Sequence, residues 1–122
     1  MFVHEPPRIK GISELEDALG RSFELIRAAL EAGESVAIVL DDRDLQGNSG
    51  PAAAGQAGGL LGLSRALAFE GRKAGWQVAV LATTPAASEG ERDHWLRALE
   101  NSRCGSGALI RLAGDHLGKL PV

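Results

Sequence analysis

Two short apolar runs, rich in valine, isoleucine and leucine, most constrain what this chain can fold into. They are SVAIVL, residues 35–40, and WQVAVLA, residues 76–82. Each run is continuous rather than alternating with polar residues, which is typical of a strand covered on both faces in a parallel sheet. The long segment between them has the apolar spacing of a helix. The pair therefore predicts a parallel β-α-β unit.

The flanking segments extend this unit to four strands. The pattern predicts further strands at 1–4 and 107–114, and helices at 13–33, 52–74 and 88–101. The first helix is predicted to begin with Ser13 as its N-cap and to end at Gly33. In the last helix, Trp95, Leu96 and Leu99 are predicted to face the core. Alternating strands and helices, without a linker or repeat, predict one domain over 1–122: a three-layer α/β/α fold with a four-stranded parallel sheet.

Composition and charge argue against several classes of function. The 122 residues carry a net charge of −3, and no basic stripe is present, so nucleic-acid binding is not expected. The apolar runs are far shorter than a membrane span, and MFVHEPPRIK lacks the apolar core of a secretory signal. The lone Cys104 cannot form an internal disulfide and suits a reducing compartment. We therefore expect a cytoplasmic protein that binds neither nucleic acid nor membrane.

One polar segment, Asp41–Pro51, follows the first buried run at the strand end where α/β proteins place their sites. Its acidic DDRD cluster would suit a magnesium site or acid/base chemistry. The more ordinary interpretation is a solvated loop with capping aspartates. Three histidines, His4, His94 and His116, do not form metal-ligand spacing with Cys104. They are predicted to be surface or packing residues, and no metal site is predicted.

The segment GQAGGLLG, residues 55–62, contains four glycines within the second helix. Counted from Gly55, the other three glycines follow after three, four and seven positions, at Gly58, Gly59 and Gly62. This spacing predicts that all four share one helix face. No lysine follows, as a phosphate-binding loop would require. Each interior glycine costs about 1 kcal/mol relative to alanine. Close approach of another backbone, from the sheet or from a partner helix, would explain that cost.

The same stretch resembles a known family. GQAGGLLGLSRALAFEGRKAGWQVAVLATTP resembles the helix-strand segment of the short-chain dehydrogenase/reductase family, in particular its ketoacyl-carrier-protein reductases. ALGRSFELIRAAL, SVAIVLDD and GALIRLAGD resemble the preceding helix, the strand that carries the catalytic serine, and the final strand. The resemblance covers nearly the whole chain but only the C-terminal half of the family. It implies that the strands lie in the order 1-2-3-4, as in that half of a Rossmann fold.

The positions that correspond to the family's catalytic residues carry other side chains. The tyrosine falls on Ala53, and the lysine four residues later falls on Ala57. The serine falls on Asp41 or Asp42, and the asparagine of the preceding helix falls on Ala18. The chain contains no tyrosine at all, so the acid that protonates the substrate carbonyl is missing. The glycine-rich dinucleotide turn is missing as well, and we expect neither a cofactor nor this family's activity.

The resemblance also implies an interface. In the family, this helix and the preceding one pack against the same pair of a second subunit as a four-helix bundle. The residues implied to lie at such an interface are Phe23, Arg27, Gly55, Gly58, Gly59, Gly62, Leu63 and Ala66. The truncated sheet also leaves its first strand as an edge, and an exposed edge invites pairing.

Three hypotheses follow from these observations. In the first, the chain is a non-catalytic dehydrogenase-like subunit whose partner is itself, as a homo-oligomer, or a full-length catalytic short-chain dehydrogenase. The second is a small ligand-binding protein, or an enzyme of different chemistry, that uses the Asp41–Pro51 loop to hold a nucleotide or an acyl-CoA fragment. The third is a decayed fragment without function.

Overall fold

The computed structural model describes residues 1–102 and 105–113. Its strands are β1 (Phe2–His4), β2 (Val36–Asp41), β3 (Val78–Thr83) and β4 (Leu109–Arg111). Its helices are α1 (Leu15–Glu31), α2 (Asp42–Leu45), α3 (Pro51–Glu70) and α4 (Glu89–Asn101), with a 3-10 turn at Ile12–Glu14 before α1.

The strands form one sheet in the order β1-β2-β3-β4, and every neighbouring pair is parallel. Asp41 at the end of β2 lies opposite Thr83 at the end of β3. The predicted four-stranded parallel sheet in a three-layer α/β arrangement is confirmed, and so is the strand order. The short strand β1 forms one edge, as expected.

The two central strands are buried on both faces. Val36, Ile38 and Leu40 point to one face, where they join the hydrophobic core beneath α1 and α3. Ala37 and Val39 alternate with them, point to the opposite face and are also buried. A continuous apolar run is therefore what this position in the sheet requires. Each fully buried Val, Ile or Leu side chain contributes about 1.5–3 kcal/mol.

Helices α1 and α3 pack side by side through two of the four glycines. A Cβ built on Gly59 would lie 2.9 Å from Cδ1 of Leu19, and one built on Gly55 would lie 3.2 Å from Cδ2 of Leu15. By contrast, Gly58 and Gly62 have nothing within 4 Å of the same position. The prediction of a single glycine face is therefore wrong. Residues four apart share a face, so the glycines form two pairs, one against α1 and one pointing outward.

Several element boundaries differ from the predictions. Ser13 is not the N-cap of α1, because it lies in the 3-10 turn and the helix begins after Glu14 without a side-chain cap. Helix α3 ends at Glu70 rather than residue 74, and the following turn ends at Gly75 with a φ of +76°. Gly33, with a φ of +87°, does end α1 as predicted.

The strand ends also shift by one to three residues. Strand β1 begins at Phe2, β2 runs from Val36 to Asp41, and β3 runs from Val78 to Thr83. Strand β4 covers only Leu109–Arg111, while Gly114 lies outside the described residues. The strand ends are set by hydrogen bonding to the neighbouring strands, and the apolar run of one strand does not show where that pairing begins and ends.

Helix α4 covers the second face of the sheet but is less buried than predicted. Trp95 is 38% exposed, Leu96 and Leu99 are half-buried, and no residue of α4 is buried. The prediction that all three face the core is therefore wrong. The helix packs mainly on β3 and is tied to the far edge of the sheet by an ion pair of 2.8 Å between Arg92 and Glu5.

His4 is a packing residue. It is 8% exposed, and its Nε2 lies 2.9 Å from the hydroxyl of Ser22 on α1. Burial lowers the pKa of this imidazole. His94 is exposed and meets Trp95 edge to face, whereas His116 and Cys104 lie outside the described residues.

Candidate functional site

A small cavity of about 150 Å³ lies at the carboxyl ends of β1 and β2. Its floor is apolar and comes from β2 and α3, and its rim is polar. The lining residues include Arg8, Asp41, Asp44, Ala53, Gln56 and Ala57. In open parallel sheets this edge is where ligands bind.

Asp41 is the last residue of β2 and the N-cap of the short helix α2. Its Oδ1 accepts hydrogen bonds from the backbone N–H of Arg43, at 2.9 Å, and from the Nε of the same residue, at 3.0 Å. Arg8 also donates to Asp41 Oδ2, at 3.2 Å. The hydrogen bond from the Arg43 guanidinium is the main reason that the pKa of Asp41 is lowered from its usual value. Asp41 is therefore held as a carboxylate.

Arg8 closes the rim of the cavity. Its Nε donates to Oδ2 of Asp44 at 3.0 Å, and its Nη2 lies 2.9 Å from Oδ1 of the same carboxylate. Asp44 is only 8% exposed, so the carboxylate of this ion pair is largely removed from water. The segment after β1 is thereby fixed to α2.

Asp42 points away from the cavity and into a buried ion pair with Arg111 on β4. The Nε and Nη2 of Arg111 donate to the two carboxylate oxygens of Asp42, each at 2.6 Å. Gln46 also donates to Asp42, again at 2.6 Å. The two charged side chains are 1% and 5% exposed. This bidentate geometry is the strong form of an arginine–carboxylate contact.

The predicted solvated DDRD loop is therefore only partly correct. Asp41 does cap a helix, but Asp42 and Asp44 are buried and ion-paired. Only the later residues 47–50 form an exposed connection to α3. The reason is that two arginines from distant parts of the chain, Arg8 and Arg111, reach this segment.

Gln56 on α3 holds the segment that follows β1. Its Nε2 donates to the carbonyl of Pro7, and its Oε1 accepts from the backbone N–H of Ile9, each at 3.0 Å. The side chain is 5% exposed. Gln56 is not among the site residues predicted from the sequence. The sequence does contain a signal for it: Gln56 places a side-chain amide between Ala53 and Ala57 on an otherwise apolar helix face. A buried amide must find hydrogen-bond partners.

Five positions were matched to the catalytic residues of the resembled family, and three of them lie together in the structure. Ala53 and Ala57 are 3% and 2% exposed and line the cavity beside Asp41. The other two positions do not line the cavity. Asp42 is paired with Arg111, and Ala18 is buried on α1. The cavity is therefore the space beside the two positions where the resembled family has tyrosine and lysine.

The titratable side chains that line this cavity are one arginine, Arg8, and three carboxylates, Glu5, Asp41 and Asp44. Among the described residues that line it, none is serine, cysteine, histidine, lysine or tyrosine. The lowered pKa of Asp41 keeps this carboxylate ionised, so it carries no proton to donate at neutral pH. Within the described ranges, the histidine and acidic side chains do not form a group of three or more suited to a metal ion.

The implied interface residues fall into three groups. Gly55 and Gly59 face α1 inside the subunit. Phe23 and Leu63 are half-buried and pack against the hydrophobic core. Of the others, Gly58, Gly62 and Ala66 are exposed, and Arg27 is half-buried. Arg27 bridges the helices, since its guanidinium lies 2.9 Å from Glu31 and 3.1 Å from Glu70.

No protein-family model matches this chain, and no curated protein matches it. The resemblance to short-chain dehydrogenases therefore depends on the residues quoted above. In the described part of the chain, no helix is both long enough and apolar enough to cross a membrane.

Proposed function

We propose that this chain is a non-catalytic, short-chain-dehydrogenase-like subunit that associates through the outer faces of α1 and α3. The partner is a second copy of the chain or a full-length catalytic relative, and the expected compartment is the cytoplasm. The proposal extends the resemblance in the sequence, and three properties of α3 support it.

The observation that carries the proposal is that α3 has no polar face. Of its 20 residues, only Arg65 and Glu70 are charged. A helix on the surface of a globular domain normally alternates an apolar stripe with a polar one, as α1 does with its six charged residues. A helix that is apolar and small on all sides is typical of one buried on all sides. The outward side of α3 therefore fits a covered surface better than a solvated one.

The outward glycines support the same conclusion. Gly58 and Gly62 are exposed, and apart from the adjacent backbone of α3 itself, no atom of the described residues lies within 4 Å of the Cβ position of either. Packing within the subunit therefore does not require glycine there, although each costs about 1 kcal/mol relative to alanine. Close approach of a partner helix would require it.

The residues of the cavity support the non-catalytic part of the proposal. The positions of the family's tyrosine and lysine are Ala53 and Ala57, and the chain contains no tyrosine. Neither a tyrosine nor a lysine is among the described residues that line the cavity, and the lowered pKa of Asp41 keeps this carboxyl group from replacing the family's proton donor.

Replacing Gly62 with leucine is expected to abolish association while leaving the subunit folded. The leucine side chain would prevent close helix approach. In the separate subunit it meets open space, and its higher helix propensity stabilises α3 by up to about 1 kcal/mol. Sedimentation velocity and thermal unfolding of the same samples measure both effects.

The matched control is Gly90→Leu on α4, which lies on the opposite face of the sheet and should leave association unchanged. A native pull-down then identifies the partner. Recovery of the chain alone indicates a homo-oligomer, and recovery of a full-length dehydrogenase at fixed stoichiometry indicates a heteromeric complex. A chain that is monomeric at high concentration and captures no dehydrogenase would contradict the proposal.

A ligand-binding function is the second candidate, and its site would be the cavity beside Ala53 and Ala57. The volume of about 150 Å³ is below the range of about 300 to 1,000 Å³ for small-molecule sites, so only part of a ligand would fit inside it. The charged groups Arg8 and Asp41 at its rim lie on the Asp41–Pro51 side of the sheet. A nucleotide or acyl-CoA fragment held there should bind at least tenfold more weakly to Asp41→Ala and Arg8→Ala, as measured by calorimetry. Asp42→Ala is unsuitable for this test, because Asp42 supports the fold.

A further inference from the structure

A second concave surface lies on the flank of α3 away from α1. It is a groove of about 500 Å³ between the C-terminal end of α3 and the turn that precedes β4. One wall carries Phe69 and Arg72, the other is the turn at Gly107, and Arg65 and Trp76 are among the other lining residues. The groove borders the outward face of α3 used in the proposed association, but it does not depend on that proposal.

The groove is positively charged in a chain of net charge −3. Two arginines, Arg65 and Arg72, line it together with no aspartate or glutamate. Neither forms an ion pair of 4.0 Å or less with a carboxylate among the described residues. The hydrogen bond from Arg65 Nε to the carbonyl of Gly107 is long, at 3.4 Å, and Arg72 donates from Nη1 to the carbonyl of Phe69 at 2.8 Å. Since a guanidinium has five N–H donors, most of them are not used by these bonds.

The groove also presents aromatic surface. Phe69 is 68% exposed, the largest exposed fraction among the large apolar side chains of the described residues. The guanidinium of Arg72 lies 4.2 Å from the centre of its ring, a cation–π contact that orders both side chains. The indole of Trp76 packs on the buried Gly71, where even a Cβ atom would overlap it. The aromatic surface is thereby held in place beside the two cations.

We infer that this groove binds a planar aromatic anion, a flat ring that carries a phosphate or a carboxylate. The ring stacks on Phe69 or Trp76, and the anionic group pairs with Arg65 and Arg72. Guanidinium groups match the geometry of phosphate and carboxylate oxygens, and an arginine that stacks on a ring keeps its in-plane donors available. The volume lies within the range of small-molecule sites, which runs from about 300 to 1,000 Å³.

Tryptophan fluorescence provides a direct test, because the chain has only two tryptophans and one of them lines the groove. In a Trp95→Phe background, Trp76 is the single reporter. Titration with AMP, benzoate and inorganic phosphate separates an aromatic phosphate, an aromatic carboxylate and an anion without a ring. We expect saturable quenching by AMP or by benzoate, and at least tenfold weaker binding of inorganic phosphate in a competition titration.

The variants Arg65→Gln and Arg72→Gln are each expected to weaken binding at least tenfold. Arg97→Gln on α4 removes the same charge from an exposed position outside the groove and should leave binding unchanged. The inference is overturned if neither aromatic anion quenches Trp76. It is also overturned if Arg97→Gln weakens binding as much as the groove variants do, or if inorganic phosphate binds as tightly as AMP.

Discussion

Replacing Arg111 with methionine, or Asp42 with alanine, is expected to lower the free energy of unfolding by about 3–5 kcal/mol. The two side chains are 5% and 1% exposed, and their two hydrogen bonds are 2.6 Å each. Either substitution leaves one charge buried without its counterion, and the desolvation of that charge is the source of the large effect. Urea unfolding followed by circular dichroism measures the loss.

The double variant Asp42→Leu with Arg111→Met should recover most of this loss, because apolar residues of similar size replace a buried ion pair at little net cost. The exposed pair of Arg92 and Glu5 provides the matched control, and Arg92→Met should cost less than about 1 kcal/mol. A single-variant loss as small as that of Arg92→Met would mean that water reaches the Asp42–Arg111 pair.

Gly71→Ala is expected to destabilise the fold by about 3 kcal/mol, the upper end of the usual range for overpacking. Gly71 is buried, and a Cβ there would overlap the indole ring of Trp76. The backbone of Gly71, with a φ of −93°, is open to any residue, so the effect would come from packing rather than from backbone strain. Thermal unfolding measures it.

Two further variants isolate the contact with the indole. Gly20→Ala in the exposed middle of α1 has nothing within 4 Å of its Cβ and should stabilise the fold by up to about 1 kcal/mol. In a Trp76→Ala background, Gly71→Ala should have little effect, and the double-mutant cycle then gives the coupling between the two sites. Equal losses with and without the indole would show that Gly71 is required for another reason.

The order of elements was predictable because buried parallel strands and amphipathic helices leave strong local patterns. SVAIVL and WQVAVLA both became central strands, and Gly33 ended α1 where its left-handed backbone was expected. The N-cap assignment to Ser13 failed because a 3-10 turn precedes the helix. Local patterns do not distinguish these two ways to begin a helix.

The candidate site was less predictable because its contacts join residues that are distant in the sequence. Asp42 meets Arg111 across 69 positions, and Gln56 meets Pro7 across 49. The acidic DDRD cluster was visible, but the arginines that bury and pair it were not. Similarly, the spacing of the four glycines did not reveal that Gly55 and Gly59 face α1 whereas Gly58 and Gly62 face outward.

The sequential strand order has a consequence for how the chain acquires its structure during synthesis. Each strand pairs with the strand that precedes it, so the sheet can grow from β1 onward as the chain emerges. Until β4 arrives, the apolar strand β3 is an open edge, which is a template for aggregation. Asp42 also lacks its counterion until then. Pairing of β4 with β3 therefore covers this edge and also brings Arg111, the counterion of Asp42, into contact with it.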